Sequence, residues 1–460
     1  MYELCAVLML VLAGFTLRWL PSPDRGLRLM LWGLWAAGIV ATVAARIAWG
    51  GFAGSVAAAT AFAVLVGLAL TDMVVSRRAW PARAMGVALC VLTAVSAFTR
   101  AVRFDQVRGE PLQPDVVYYR QHAAETANPF AAGNKTPLWS ALHAPLVRLY
   151  PDEPAVMRIL SCCAGIGVVP LIAAVIGRFL GGVVGVVVAG FCALDTWMID
   201  LCCQGLREET NLILWLLLFA VAFRPDGPSP RGWLGAGLLG GVLALLRNTN
   251  WPALIVILGY AALTRRWRAW QSVLALLLPV AIASPFYVNQ WRRYGDAFYL
   301  EHRDARYYVN GEFGGSRNLP AGVTMPPPEE RARNPYAGDP VSPFDYLFRL
   351  RPLQAALYGQ WYGITRTILG YPFGWAPPTE WLGLICAAGL AGLLLVPARW
   401  MALFVIASVA GMQAHLIAIG TLEQRMILQA YPFWLAGGIN LLCAVVARGV
   451  GAWKRDGPRA

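Results

Sequence analysis

Apolar stretches of membrane-crossing length recur along this chain, and they constrain its fold more than any motif does. Gly51–Val75, Val183–Ile199, Ser272–Tyr287, Met401–Ile419 and Ile427–Val446 are each long enough, or nearly so, to cross about 30 Å of hydrocarbon. Lipid offers no partners to a bare backbone, so such stretches can span only as helices. Hydrophobic residues make up 58% of the 460 positions, which excludes an ordinary soluble domain. The pattern predicts an all-α polytopic membrane protein of about 13 transmembrane helices, with interfacial helices and a long extracytoplasmic loop. The spans fall roughly at 3–18, 27–48, 51–75, 84–99, 156–178, 182–199, 208–223, 233–247, 251–264, 270–288, 379–396, 399–419 and 426–446. Trp19, Trp32, Trp49, Trp80, Trp233, Trp251 and Trp400 stand near segment ends, where interfacial anchors belong.

Orientation follows from arginine. Arg77, Arg78 and Arg83, then Arg224 and Arg231, then Arg265, Arg266 and Arg268, and finally the tail 447–460 crowd alternate short loops. That is the positive-inside bias, and it accounts for the formal charge of +13 without nucleic acid. The other loops then lie outside. The cysteines show no CxxC and no Cys/His spacing suited to a metal, and most sit in apolar runs, where they read as packing residues. No cofactor is required by the sequence, although two facing carboxylates could hold a divalent metal. Glu3–Leu17 lacks a basic n-region and reads as a short span rather than a removed signal.

Two polar regions fall on the outer side. The loop 100–154 holds Asp115-Val-Val-Tyr118-Tyr119 and Asn134-Lys135-Thr-Pro-Leu138, and Lys135 and Lys454 are the only lysines among 38 basic residues. Within it Leu138, Leu142, Pro145, Leu146 and Leu149 form one apolar stripe, with Ser140, His143 and Arg148 off it, as in a helix lying in the membrane plane. The second region, 289–352, is rich in proline, glycine and arginine and reads as a lid or binding loop, with 326–333 as solvated linker. Tyr358–Trp375 reads as interfacial or re-entrant.

Charges are costly in lipid, so their placement is informative. Asp195, Asp200, Arg207, Glu208, Glu209, Arg247, His415, Glu423 and Arg425 all gather near outer ends of spans. A transporter more typically sets its acids near the midplane. The pattern therefore points to an outward-facing site acting on a charged, lipid-borne substrate. The alternative is a transporter or flippase of a lipid-linked or small anionic solute.

The succession of these residues resembles the polyprenyl-phosphate-dependent GT-C glycosyltransferases, especially the branch of protein O-mannosyltransferases and lipid A aminoarabinose transferases. Asp115 with Tyr118 and Tyr119 matches that family's acid-then-tyrosine loop, and Lys135-Thr-Pro-Leu138 is similar to its Lys-Pro-Pro-Leu sequence. Val116 stands where a second acid is usual, and Thr136 where a first proline is. Arg207-Glu-Glu209 resembles its second acidic site, with Glu209 as the match. Gly240–Arg247 resembles its glycine-rich helix ending in arginine. Ser284–Gly295 resembles the entry to its outer loop, and Glu423-Gln-Arg425 with Pro432 its late helix.

The likeness divides the chain into three additional N-terminal spans (1–83), a catalytic membrane core (84–288), the outer loop 289–352, C-terminal membrane segments (353–446) and a basic cytoplasmic tail (447–460). It implies transfer of a sugar from a polyprenyl-phosphate donor to a lipid, polysaccharide or protein acceptor, with inversion, outside a bacterial inner membrane. Asp115 would be the base, and Glu209 would orient the acceptor or Asp115, or hold a cation. Lys135, Arg247 and Arg425 would hold the donor phosphate, with Arg292 or Arg293 assisting, and Tyr118, Tyr119, Glu208, Glu423 and His415 would line the substrate.

Overall fold

The computed structural model describes residues 82–223, 231–265, 267–314, 324–351, 357, 389–395, 399–416, 425 and 428–456, with backbone alone at 82–88, 410–416 and 446–456. The first three expected spans, Glu423 and the segment Tyr358–Trp375 lie outside the described residues. Among these residues the protein is all-helical, with no strand.

Among the described residues, most of the apolar runs form helices close to their expected bounds, although 182–199 is broken at Asp195 and the last helix begins at Tyr431. Helix α1 (Ala82–Val107) leads to α2 (Pro114–Glu125) and α3 (Pro137–Leu149), both entered through a proline at the first turn, where its missing N–H costs nothing. Then follow α4 (Val156–Leu180), α5 (Gly182–Leu194), α6 (Thr196–Cys203), α7 (Glu208–Ala222), α8 (Gly232–Leu246), a 3-10 turn Asn248–Asn250, α9 (Trp251–Thr264) and α10 (Ala269–Tyr294). The described residues of the region 289–352 include α11 (Tyr299–Phe313), α12 (Pro328–Arg333) and α13 (Pro343–Asp345), which runs into a π turn, Tyr346–Leu350. Helices α14 (Arg399–Leu416) and α15 (Tyr431–Asp456) complete the description.

The count of about 13 spans is not supported. Among the described residues two helices, α4 and α10, are long and apolar enough to cross a membrane, and α5 with α6 adds a third if that pair, bent by 59°, is one span. Helices α7, α8 and α9 are apolar but have only 14 or 15 residues each and, at 1.5 Å per residue, reach only about 22 Å. An apolar run reveals a helix; its length after capping decides whether it crosses. α10 has the surface of a lipid-facing helix, for Trp270, Val273, Leu277, Val280, Val288 and Trp291 are all exposed along it.

Helix α7 is the buried axis of the bundle, packed on α4 and α8. Its Trp215 and Phe219 meet Phe404, Trp400 and Phe433 in one aromatic cluster. Trp400 therefore packs inside, 2% exposed, rather than anchoring at the interface. Helix α8 lies tightly on α10 along a glycine stripe. A Cβ at Gly237 would stand 2.8 Å from the Leu278 side chain, and one at Gly241 2.5 Å from Ile282. This close approach sets the position of the C-terminal end of α8, and with it Arg247.

Helix α3 presents the expected stripe outward, with Leu142, Pro145 and Leu149 exposed. Its other face buries Trp139, Ser140 and His143. The His143 ring bridges the carbonyl of Trp139 and that of Met157 at 3.0 and 3.2 Å, tying α3 to the start of α4. The second outer region is ordered rather than featureless. Buried Arg306 donates to the carbonyls of Ala337 and Thr324, and Asn310 donates to those of Pro335 and Ala337. Helix α12 keeps the solvated character expected of 326–333, since none of its residues is buried.

Candidate functional site

Asp115 lies in the first turn of α2, where the helix dipole favours a carboxylate. Its Oδ2 accepts a hydrogen bond from Arg425 at 2.6 Å, an ion pair joining positions 310 residues apart. Burial pushes the Asp115 carboxyl up, but the charges of Arg425, Arg207 and Lys135 outweigh it and hold the group below its ordinary range. The carboxylate is 48% exposed, so it is charged and accessible.

One turn along, Tyr118 and Tyr119 face in different directions and do different things. The Tyr118 hydroxyl donates to the Gly133 carbonyl at 2.7 Å and accepts from the Lys135 backbone N–H at 3.2 Å, which fixes the lysine loop against α2. Gly133 needs its glycine twice over. Its φ is +81°, and a Cβ there would stand 2.6 Å from the Tyr294 hydroxyl. Tyr119 is buried, and Arg207 donates to its hydroxyl at 2.6 Å while lying over its ring. Burial pushes this phenol up to about 12.

Lys135 points to the second outer region. Its Nζ is 3.0 Å from Asp304 and donates to the Tyr336 hydroxyl at 3.2 Å. Burial works to lower the Lys135 pKa, but Asp304 and Tyr336 more than compensate, so it is raised and the ammonium stays charged. Neither Asp304 nor Tyr336 was singled out in the sequence. Both lie in a loop whose order depends on contacts made elsewhere, so the sequence carries no local signal for them.

Behind Asp115 lies a drier layer. Arg247, at the end of α8, is 2% exposed, and its Nε and Nη1 find no hydrogen-bond partner among the described residues. Glu208 is 3% exposed with Oε2 likewise unpartnered. Arg247 feels the charges of Arg207, Glu208, Arg425 and Tyr119. Beneath it, Asn211, Asn250 and Gln429 form a hydrogen-bonded floor, linked at 2.7 and 2.8 Å. Unpartnered buried donors of this kind are costly and call for a ligand or water.

The structure therefore brings together Asp115, Tyr119, Glu208, Arg247 and Arg425, with Lys135 at the rim, and adds Arg207 at the centre. Glu209 is directed elsewhere. One residue along a helix turns the side chain about 100°, and its carboxylate, though it still feels the charge of Glu208, acts on Arg100, Cys162 and Cys202. Arg292 and Arg293 line a separate open cleft with His122, Glu125, Asn128 and Tyr294. His415 lies on α14, where the backbone alone is described. Asp195 proves to be a structural cap, accepting from the Met198 N–H and the Tyr431 hydroxyl, and Asp200 pairs with Arg103.

Comparison of the chain with protein-family models, with curated proteins and with solved structures gave no match.

Proposed function

We propose that this protein is an integral membrane glycosyltransferase that takes a sugar from a polyprenyl-phosphate donor and transfers it to an acceptor hydroxyl on the extracytoplasmic face. The observation that carries the reading is one charged, accessible carboxylate, Asp115, facing several cations delivered by distant parts of the chain. Arg425 touches it, while Arg207 and Lys135 act on it. A sugar phosphate needs this pairing of charges. The acceptor O–H attacks the anomeric carbon, its proton passes to Asp115, and the bond from that carbon to the phosphate oxygen breaks with inversion. The departing polyprenyl phosphate keeps the electron pair, and its growing negative charge falls on Arg425, Arg207 and Arg247 in a partly dry site.

The resting ion pair gives this scheme an order of events. Arg425 occupies Oδ2 of Asp115 until an anion competes for it. A donor phosphate is such an anion, so its arrival frees the base it needs. The unpartnered nitrogens of Arg247 supply further donors for the phosphate oxygens. Glu208, beside Arg247, serves as the second acid of this site and balances its cations. Lys135, held by Asp304 and Tyr336, couples donor binding to the outer loop. No metal enters the scheme.

The test is single-turnover conversion of a polyprenyl-phosphate sugar by purified protein, followed by lipid mass spectrometry. Wild-type protein releases free polyprenyl phosphate, whereas Asp115→Asn retains donor binding and does not. Wild-type protein that moves the intact lipid across proteoliposomes without cleaving it would defeat this reading in favour of a transporter.

A further inference from the structure

The thiols of Cys162, Cys202 and Cys203 form a cluster that glycosyl transfer leaves unused. Their Sγ atoms all lie within 4.8 Å of one another, with 3.5 Å between Cys162 and Cys203 and 3.9 Å between Cys202 and Cys203. Three sulfurs each about 2.3 Å from one ion stand about 4.0 Å apart in a trigonal plane, so the spacing is close to that of a ligand set. Two fully buried polar groups lie against the same cluster with atoms that lack partners among the described residues. Both Oε atoms of Glu209 are unpartnered, as is Nε of Arg100, and both side chains are 0% exposed. The Glu209 charge acts on Cys162 and Cys202. Gly165 keeps this space open, because a Cβ there would stand 2.8 Å from Arg100 Nε and 2.9 Å from Cys202 Sγ.

We propose that Cys162, Cys202 and Cys203 bind a thiophilic d10 cation, Cu(I), through their three sulfurs. Soft thiolates select such an ion over Mg(II) or Ca(II). Closed Zn(II) sites take four ligands, and no fourth His, Cys or carboxylate atom among the described residues joins this group. Binding releases the thiol protons to water, so affinity rises with pH. Arg100, buried beside the cluster, offsets the anionic charge of the thiolates. The ion ties the second turn of α4 to the end of α6, next to the turn from which Glu208 and Glu209 enter α7. Its role is structural, and it stands independently of the reaction proposed above.

The experiment supplies Cu(I) alone, anaerobically, to the full-length protein in detergent, in competition with a chromophoric chelator. One ion binds per chain, about 100-fold more tightly than to Cys162→Ser, and more tightly at pH 8 than at pH 6. Cys163→Ser, altering the exposed neighbour, binds like wild type. Wild-type protein that takes up no Cu(I), or retains the same affinity after Cys162 and Cys203 are both changed to serine, overturns the proposal. So does Zn(II) alone displacing Cu(I) at equal concentration. Because the decisive measurement is uptake by the wild-type chain, a variant that fails to fold leaves the test intact.

Discussion

Glu208 and Glu209 are consecutive residues in the first turn of one helix, yet they belong to different chambers. Glu208 faces an open, cation-rich chamber with Arg207, Arg247 and, beyond them, Asp115. Glu209 faces a closed one, lined by Arg100 and three thiols. In the open chamber charge is balanced by charge, and although Glu208 is itself buried, the Asp115 carboxylate reaches solvent. In the closed chamber a fully buried carboxyl has no hydrogen-bond partner among the described residues. The lesson is that an acid pair at a helix start is two separate features, because the helix itself points them apart.

The strongest way to break this comparison is to remove the base of the open chamber. Asp115→Asn keeps the shape and loses the charge, and transfer should fall about 10²- to 10⁴-fold in single-turnover assays. Next, Glu208→Gln should lower transfer at least about tenfold more than Glu209→Gln, a difference of roughly 1.4 kcal/mol in transition-state stabilisation. Equal losses would show that the two chambers are one site. Lys135→Ala, at the rim, should raise KM for the donor about tenfold with kcat little changed, the signature of lost binding rather than lost chemistry.

The pH response sharpens the same contrast. The folded Asp115 pKa is depressed, so its charge, and the stability of its pair with Arg425, is present above the ordinary value and lost as pH falls through the folded one. The acid limb of donor cleavage should thus lie below about pH 4. Arg425→Gln, removing the largest attractive charge, should move that limb upward in a kcat/KM profile.

The smallest effect is expected beneath the open chamber. Glu301 accepts a hydrogen bond from Asn248 at 2.7 Å, and burial raises its carboxyl to about 7. For an acid raised in this way, stability is full below the ordinary carboxylate value and is lost as pH climbs towards 7. Glu301→Gln should therefore gain about 1 kcal/mol at pH 8 and nothing at pH 4, read from thermal unfolding in detergent.

Much of the helical framework was legible in the residues. The expected segment 251–264 coincides with α9 (Trp251–Thr264), and the amphipathic stripe places α3 within a residue. Both follow from local chemistry, in apolar runs bounded by proline or arginine. The helix ends at Gly181, Arg247 and Arg265 were legible to within a few residues, but which of the shorter helices cross a membrane was not, because 14 or 15 residues fall short of the hydrocarbon thickness. The meeting of Asp115 with Arg425 was expected from the resemblance and from the side of the membrane on which each was placed, not from any local pattern. The thiol cluster could not be read at all, since Cys162 lies 40 residues before Cys202 and only folding brings α4 and α6 together. Arg207 was visible in the sequence but carried no role until Tyr119 was found beneath it.

The glycines of α8 have a practical consequence for genetics. Gly237 and Gly241 touch no charged group, yet a methyl at either would wedge the helix away from Leu278 or Ile282. Because Arg247 ends that same rod, the displacement would arrive at the guanidinium. A loss-of-function screen would thus score a greasy, remote glycine beside the true reactive groups, and only thermal unfolding or donor-binding curves would tell lever from actor.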